Sequence, residues 1–188
     1  MLFRSGDIFA RGQLEGDTTG TANVIFTGAN DFGCGVYGYS YVGGAGEGAA
    51  LSFYDYKGSF SGAIGGFDGI TLDGDTAMTL TTAAADISNS KWEFDLSARD
   101  AASANDSLLT WSTADFSSDT VRVNFADETQ AKAGWSIANA TFTGASFTLA
   151  IGGTDVTTVA YDTEISGGDW AGWKFTDENG TLKFAKLA

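Results

Sequence analysis

Lys91-Trp92-Glu93-Phe94-Asp95-Leu96 alternates without a break. In an extended chain successive side chains point to opposite faces, so Trp92, Phe94 and Leu96 share one face and Lys91, Glu93 and Asp95 the other. Val121, Val123 and Phe125 alternate in the same way with Arg122 and Asn124, as do Phe147, Leu149 and Ile151 with Thr148 and Ala150. Each run reads as a strand with one buried face and one wet face. Outward from these three, strand-like runs recur about every 10–20 residues. They cover 22–27, 36–42, 50–56, 69–72, 77–81, 91–96, 107–112, 120–125, 134–138, 146–151, 156–160, 172–175 and 181–185. Between them lie turn chemistries such as Asp73-Gly74-Asp75, Ser88-Asn89-Ser90, Gly152-Gly153-Thr154-Asp155 and Gly167-Gly168-Asp169. Asn179-Gly180, flanked by 173–175 and 182–184, is a strong hairpin signal. Residues 126–133 form the best helical stretch, with Asp127 and Glu128 early, Lys132 late and Gly134 as a stop.

The 188 residues are 43% apolar, enough for a core, and the length favours one domain or a section of a longer repetitive one. Proline is absent, whereas ordinary usage would give about nine. Proline removes a ladder hydrogen bond, so its absence suits a chain whose segments are paired on both edges. Glycine numbers 26, with 18 in residues 1–80, and supplies the positive backbone angles that tight corners need. The chain reads as all-β. With no histidine, Ser-His-Asp and Cys-His catalysis and most zinc sites fall away. A single cysteine, Cys34, excludes an intrachain disulfide and reads as a buried reduced thiol. The 24 acidic residues against 10 basic ones give a net charge of −14, which would repel a phosphate backbone, so nucleic acid is not an expected partner. No apolar run is long enough for a membrane-spanning helix.

Two all-β architectures compete. A β-sandwich needs about seven strands per hundred residues with Greek-key returns. A β-helix stacks short strands coil upon coil. The unbroken turn-strand rhythm and the missing proline favour the second, a right-handed parallel β-helix, with the β-sandwich as the alternative. At about 20–25 residues per coil it would make about eight coils. Residues 1–5, Met-Leu-Phe-Arg-Ser, stand apart and read as a non-native scar. Residues 6–188 then form a single solenoid segment, and the final hairpin, residues 173–184, would cover the last coil.

Ile70-Thr71-Leu72-Asp73-Gly74 is followed by Lys91-Trp92-Glu93-Phe94-Asp95-Leu96-Ser97. The cadence continues through Leu108-Leu109-Thr110, Ala114-Asp115-Phe116-Ser117, Val121-Arg122-Val123 and Trp135-Ser136-Ile137-Ala138. This style of sequence, over residues 70–186, resembles the passenger region of bacterial type V autotransporters, surface adhesins built on right-handed parallel β-helices. The resemblance implies a secreted or cell-surface protein whose passenger serves as spacer or adhesin, with export and anchoring parts elsewhere. It brings no translocating barrel and no protease or lipase triad.

Gly33-Cys34-Gly35-Val36-Tyr37-Gly38 fits the dinucleotide fingerprint G-x-G-x-x-G, but strand-forming residues follow where a helix is needed, so no cofactor is expected. Residues 43–51 half-match a calcium-binding nonapeptide but carry Gly48 where the ligating aspartate should be. Asp73 with Asp75, and Glu164 with Asp169, read as solvated turn residues and not as a metal site. Arg11, Arg99 and Arg122 are scattered singly, and no catalytic constellation emerges. The expected function is therefore a non-enzymatic structural or adhesive segment; a carbohydrate-active β-helix enzyme is the alternative. Tyr37, Tyr39 and Tyr41 fall on one strand face, and Tyr54 and Tyr56 repeat the spacing. Together they are the candidate platform for a host glycan or surface protein. The five tryptophans read as core and cap residues.

Overall fold

The structure is a computed structural model that describes residues 8–12, 23–40, 49–81, 85–86, 91–116 and 119–186. Residues 1–5 of the expected scar, Tyr41, Ser88-Asn89-Ser90 and most of the half-matched nonapeptide lie outside the described residues. In chain order the strands are β1 (Ile8–Gly12), β2 (Asn23–Gly28), β3 (Val36–Ser40), β4 (Ala49–Tyr56), β5 (Ser59–Phe60) and β6 (Ile64–Gly65). Then come β7 (Phe67–Asp73), β8 (Met78–Leu80), β9 (Ala85–Asp86), β10 (Lys91–Asp95), β11 (Leu109–Asp115) and β12 (Thr120–Phe125). After one helical turn, α1 (Glu128–Ala131), follow β13 (Ser136–Thr141), β14 (Ser146–Ile151), β15 (Thr154–Ala160), β16 (Trp173–Glu178) and β17 (Thr181–Lys186).

As far as β11 the chain visits three sheets in rotation, and after β9 it passes only between the second and the third. One runs β1-β3-β6-β9, a second β2-β4-β7-β10-β12-β14-β15, and a third β5-β8-β11-β13-β17-β16. Neighbouring strands are parallel until β14 and β13, so the fold is a parallel β-solenoid of about four turns. The expectation of about eight coils is too high. Corners hold more residues than a uniform short coil allows: Asp55 meets Asp75 one coil on, 20 residues away, but Glu93 meets Arg122 across 29. Corners absorb the difference and the ladder keeps its register.

In the seven-stranded sheet the alternating runs bring like to like. Val24, Leu51, Ile70, Trp92, Val121 and Phe147 are successive Cα partners, and so are Phe26, Phe53, Leu72, Phe94, Val123 and Leu149. From Leu51 and Phe53 onward these side chains are buried. Burying each contributes about 1.5–3 kcal/mol. Aromatic pairs carry the core across to the third sheet: Phe26 meets Phe60 edge-on at 5.5 Å, Trp92 meets Phe116 edge-on at 5.2 Å, and Phe147 stacks on Phe175 at 4.7 Å. Trp92, Trp111, Trp135 and Trp170 are buried and Trp173 lies in the cap, as expected of them.

Buried polar groups hold the corners. Thr76 Oγ1 donates to a backbone carbonyl of its own turn or of the coil before (Phe53 O, 2.9 Å) and accepts from Tyr56 N–H at 3.2 Å. Arg99, only 5% exposed, donates to the carbonyls of Thr76 (2.7 Å), Asp106 (2.7 Å) and Ser103 (3.2 Å). Those bonds satisfy a buried guanidinium with backbone oxygens and fold the 99–106 loop against the preceding corner.

The C-terminal end is closed by two hairpins. Asn179 (φ +57°) and Gly180 (φ +85°) turn β16 into β17, which runs antiparallel to β13. Gly152 (φ +56°) and Gly153 (φ +81°) make a second two-residue turn, folding β15 antiparallel onto β14. Two consecutive positive φ angles define the turn that matches strand twist. Asn179-Gly180 announces the first hairpin in the sequence, whereas Gly152-Gly153-Thr154-Asp155 reads there as an ordinary corner.

Glycine density in the first half has a packing cause. A Cβ on Gly62 would overlap the backbone carbonyl of Cys34, and one on Gly66 (φ +70°) the carbonyl of Gly38. Successive coils touch backbone to backbone there. Gly62→Ala is therefore expected to cost about 2 kcal/mol or more, a fall of roughly 4–8 °C in thermal midpoint for a chain of this size. Gly167→Ala, whose new methyl meets nothing within 4 Å, leaves the midpoint unchanged in the same melts.

Candidate functional site

Register fixes what the outward face of the seven-stranded sheet carries. Ala50, Gly69 and Lys91 form one row; Ser52, Thr71, Glu93, Arg122, Thr148 and Thr158 form the next. Tyr54 stands beside Asp73 at the edge of the same face. Where β7, β10 and β12 adjoin, the small residues Gly69, Thr71 and Thr120 lie among the long side chains of Lys91, Glu93 and Arg122. A depression of about 380 Å³ opens there. That volume is at the lower end for a small-ligand site.

Arg122 is held on every donor edge. Its Nη1 pairs with Glu93, its Nε donates to Asp155 Oδ1 at 2.7 Å, and its Nη2 donates to Gly153 O at 2.7 Å. It thus ties the β14–β15 turn to β10. Alongside, Asp95 Oδ1 accepts from Asn124 Nδ2 at 3.0 Å, and Asn124 Oδ1 accepts from Gly153 N–H at 2.9 Å. Burial, the main cause, holds the Glu93 carboxyl above its usual range; Arg122 opposes this, and Asp95 and Asp155 add to it. Lys91 is exposed and has no ion-pair partner among the described residues. The depression therefore offers one free ammonium, two threonine hydroxyls and a half-buried carboxyl around a small-residue floor. Such a set recognises a polar, hydroxyl-bearing ligand by hydrogen bonds.

The tyrosines do not make one platform. Tyr37 belongs to β3 in the four-stranded sheet and is half-buried. Tyr39 follows in the same strand, but its side chain and all of Tyr41 lie outside the described residues. Tyr54 is 46% exposed on the seven-stranded sheet. Tyr56 is a correction: it is 2% exposed, and its hydroxyl donates to a backbone carbonyl, that of Asn30 or of Ser59. Asp55 (φ +50°) breaks the alternation between the two, and the strand turns Tyr56 into the core.

Gly33-Cys34-Gly35 leads into β3, so no helix follows the glycine fingerprint. Cys34 is half-buried, more open than the sequence implies. Asp73 and Asp75 sit in a turn: Asp75 N–H donates to Asp55 Oδ1 at 2.8 Å, and Asp75 Oδ1 accepts from Asp100 N–H at 3.1 Å. These carboxylates link coil to coil. Glu164 and Asp169 are exposed. Among the described residues no three Asp, Glu or Cys side chains gather closely enough to hold a metal ion, and no helix is long and apolar enough to cross a membrane.

The chain matches no protein-family model, no curated protein and no solved structure. What it offers is its own geometry. Alternation places Lys91, Glu93 and Arg122 on outward faces but does not bring them together, because coils of unequal length hide which residues stack.

Removing the guanidinium tests the electrostatics. In Arg122→Met the half-buried Glu93 carboxylate loses its counter-charge, at an expected cost of about 1–3 kcal/mol at neutral pH. Glu93 already resists ionisation, so protonation relieves the deficit, and the cost shrinks as pH falls through the raised Glu93 pKa. Urea unfolding at pH 7 and pH 4 checks this; a cost equal at both would assign Arg122 a purely packing role.

Proposed function

We propose that the chain is a non-enzymatic structural and adhesive segment of a bacterial secreted or cell-surface protein, of the autotransporter-passenger kind, with a host glycan or surface protein as partner. The observation that carries the reading is the parallel solenoid itself. Its stacked core sustains a long, regular outward face, and on that face Tyr54, Lys91 and the Thr71–Thr120 depression are open. A tyrosine ring gives a flat apolar surface for a sugar face, and the ammonium and hydroxyls suit its oxygens. The autotransporter-like cadence over residues 70–186 and the acidic, cysteine-poor composition support the surface location.

A second reading has one observation in its favour. Glu93, with its raised pKa, stands beside Arg122 and Lys91 in the depression, as a proton donor to a polysaccharide would. Binding and turnover of immobilised glycans by the purified chain separate the two.

Tyr54→Ser with Lys91→Ser changes exposed side chains only, so circular dichroism is unchanged and each substitution alters stability by no more than about 0.5 kcal/mol. Retention on glycans falls by about tenfold or more if the face is adhesive. Unchanged retention removes this face from the account. Release of sugar products that disappears in Glu93→Gln establishes the enzymatic reading instead.

A further inference from the structure

Three stretches read Asn-x-Ser or Asn-x-Thr: Asn105-Asp106-Ser107, Asn139-Ala140-Thr141 and Asn179-Gly180-Thr181. This triplet is the acceptor for N-linked glycans, in which the amide and the hydroxyl two residues on are read together. The fold treats the three differently. Asn139 is half-buried in β13; its Oδ1 accepts from Ser107 Oγ at 3.2 Å, and its Nδ2 donates to Thr110 Oγ1 at 3.3 Å. The first of these bonds engages the amide of one triplet and the hydroxyl of another. Asn105 is exposed, but Arg99 binds the carbonyls of Ser103 and Asp106 on either side of it and holds that loop against the coil.

Asn179 is exposed at the tip of the β16–β17 hairpin, with a left-handed backbone (φ +57°) that asparagine tolerates. Among the described residues neither its amide nor the Thr181 hydroxyl has a hydrogen-bond partner. Neighbouring side chains fix the turn instead. Glu178 pairs with Lys183 Nζ at 2.9 Å, and Asp177 Oδ1 accepts from Gly180 N–H at 2.9 Å. Asp177 is exposed and stands two residues before Asn179. It completes the longer acidic-x-Asn-x-Thr form that bacterial oligosaccharyltransferases read. Ser103 and Ile137 hold that place in the other two triplets.

We propose that Asn179 is an N-glycosylation site, with an oligosaccharide carried on a polyprenyl pyrophosphate as donor. In the transfer Asn179 Nδ2 bonds to C1 of the first sugar and the C1–O bond to pyrophosphate breaks. The amide gives up one proton, and polyprenyl pyrophosphate leaves. The glycan would stand on the hairpin that ends the third sheet, whereas Tyr54 and Lys91 belong to the second. In the cell the step rests on the secreted or cell-surface reading, because lipid-linked transfer takes place on the exported side of the membrane.

The acceptor is tested on the purified full chain, incubated with a bacterial oligosaccharyltransferase, a divalent cation and a lipid-linked oligosaccharide. Trypsin then places the three asparagines on separate peptides, residues 100–122, 133–174 and 175–183. Mass spectrometry should find the glycan on 175–183 alone. Asn179→Gln and Thr181→Val should abolish it with unchanged circular dichroism. Asp177→Asn, whose amide oxygen still accepts from Gly180 N–H, should lose most of it. A parent chain left unmodified, a glycan on 100–122 or 133–174 instead, or an equal yield in Thr181→Val or Asp177→Asn would overturn the proposal. Asn179→Gln should leave retention on immobilised glycans unchanged, so this site and the Tyr54–Lys91 face fail separately.

Discussion

Each coil obtains the hydrogen bonds of its strands from the coils on either side, and this mutual dependence shapes the rest of the molecule. A coil alone would leave a full ring of backbone donors and acceptors unpaired, which an apolar core cannot tolerate. In-register parallel stacking satisfies the ring and, in the same step, superposes apolar side chains, as in the row from Leu51 to Phe147. Features that look separate serve that stacking. Missing proline keeps the ladders whole, and Gly62 and Gly66 let backbones meet. Asp31, Asp55 and Asp75 accept backbone N–H groups from the following coil, those of Ser59, Asp75 and Asp100. Asp31 is held below the usual carboxylate range by its bonds to Ser59.

Much of this architecture is legible in the amino-acid sequence. Strict alternation in 91–96, 120–125 and 146–151 marks three strands of the seven-stranded sheet, because a period of two survives wherever one face is buried. The Asn179-Gly180 turn and the short helix capped by Asp127, whose side chain accepts from Gln130 N–H at 2.8 Å, are equally plain. Of the four-stranded sheet only β3 is, through the run 36–42. β6 and β9 hold two residues each, too few to display any period, and β5 in the third sheet is as short. A uniform repeat overcounts the coils because corners such as 99–106 and 126–135 carry extra residues that it does not anticipate.

The candidate site is half legible for a related reason. Alternation tells which way Lys91, Glu93 and Arg122 point but not that they adjoin, since adjacency depends on how many residues each corner consumes. Tyr56 shows the opposite limit. Its spacing from Tyr54 implies a shared face, yet one residue in a left-handed conformation, Asp55, reverses the side on which it emerges. Such a break is a local backbone event that hydrophobic patterning cannot register.

The uneven placement of the indole rings has a spectroscopic consequence. All five tryptophans lie at position 92 or later, and Trp92, Trp111, Trp170 and Trp173 pack within the middle and C-terminal layers. Five of the six tyrosines precede residue 57. Contacts in a solenoid run mainly between neighbours, so the first coils can come apart while the rest stand. Indole emission would be nearly silent during that opening, and only phenolic emission would register it. The two chromophores thus divide the molecule into optically separate halves, and their melting curves need not coincide.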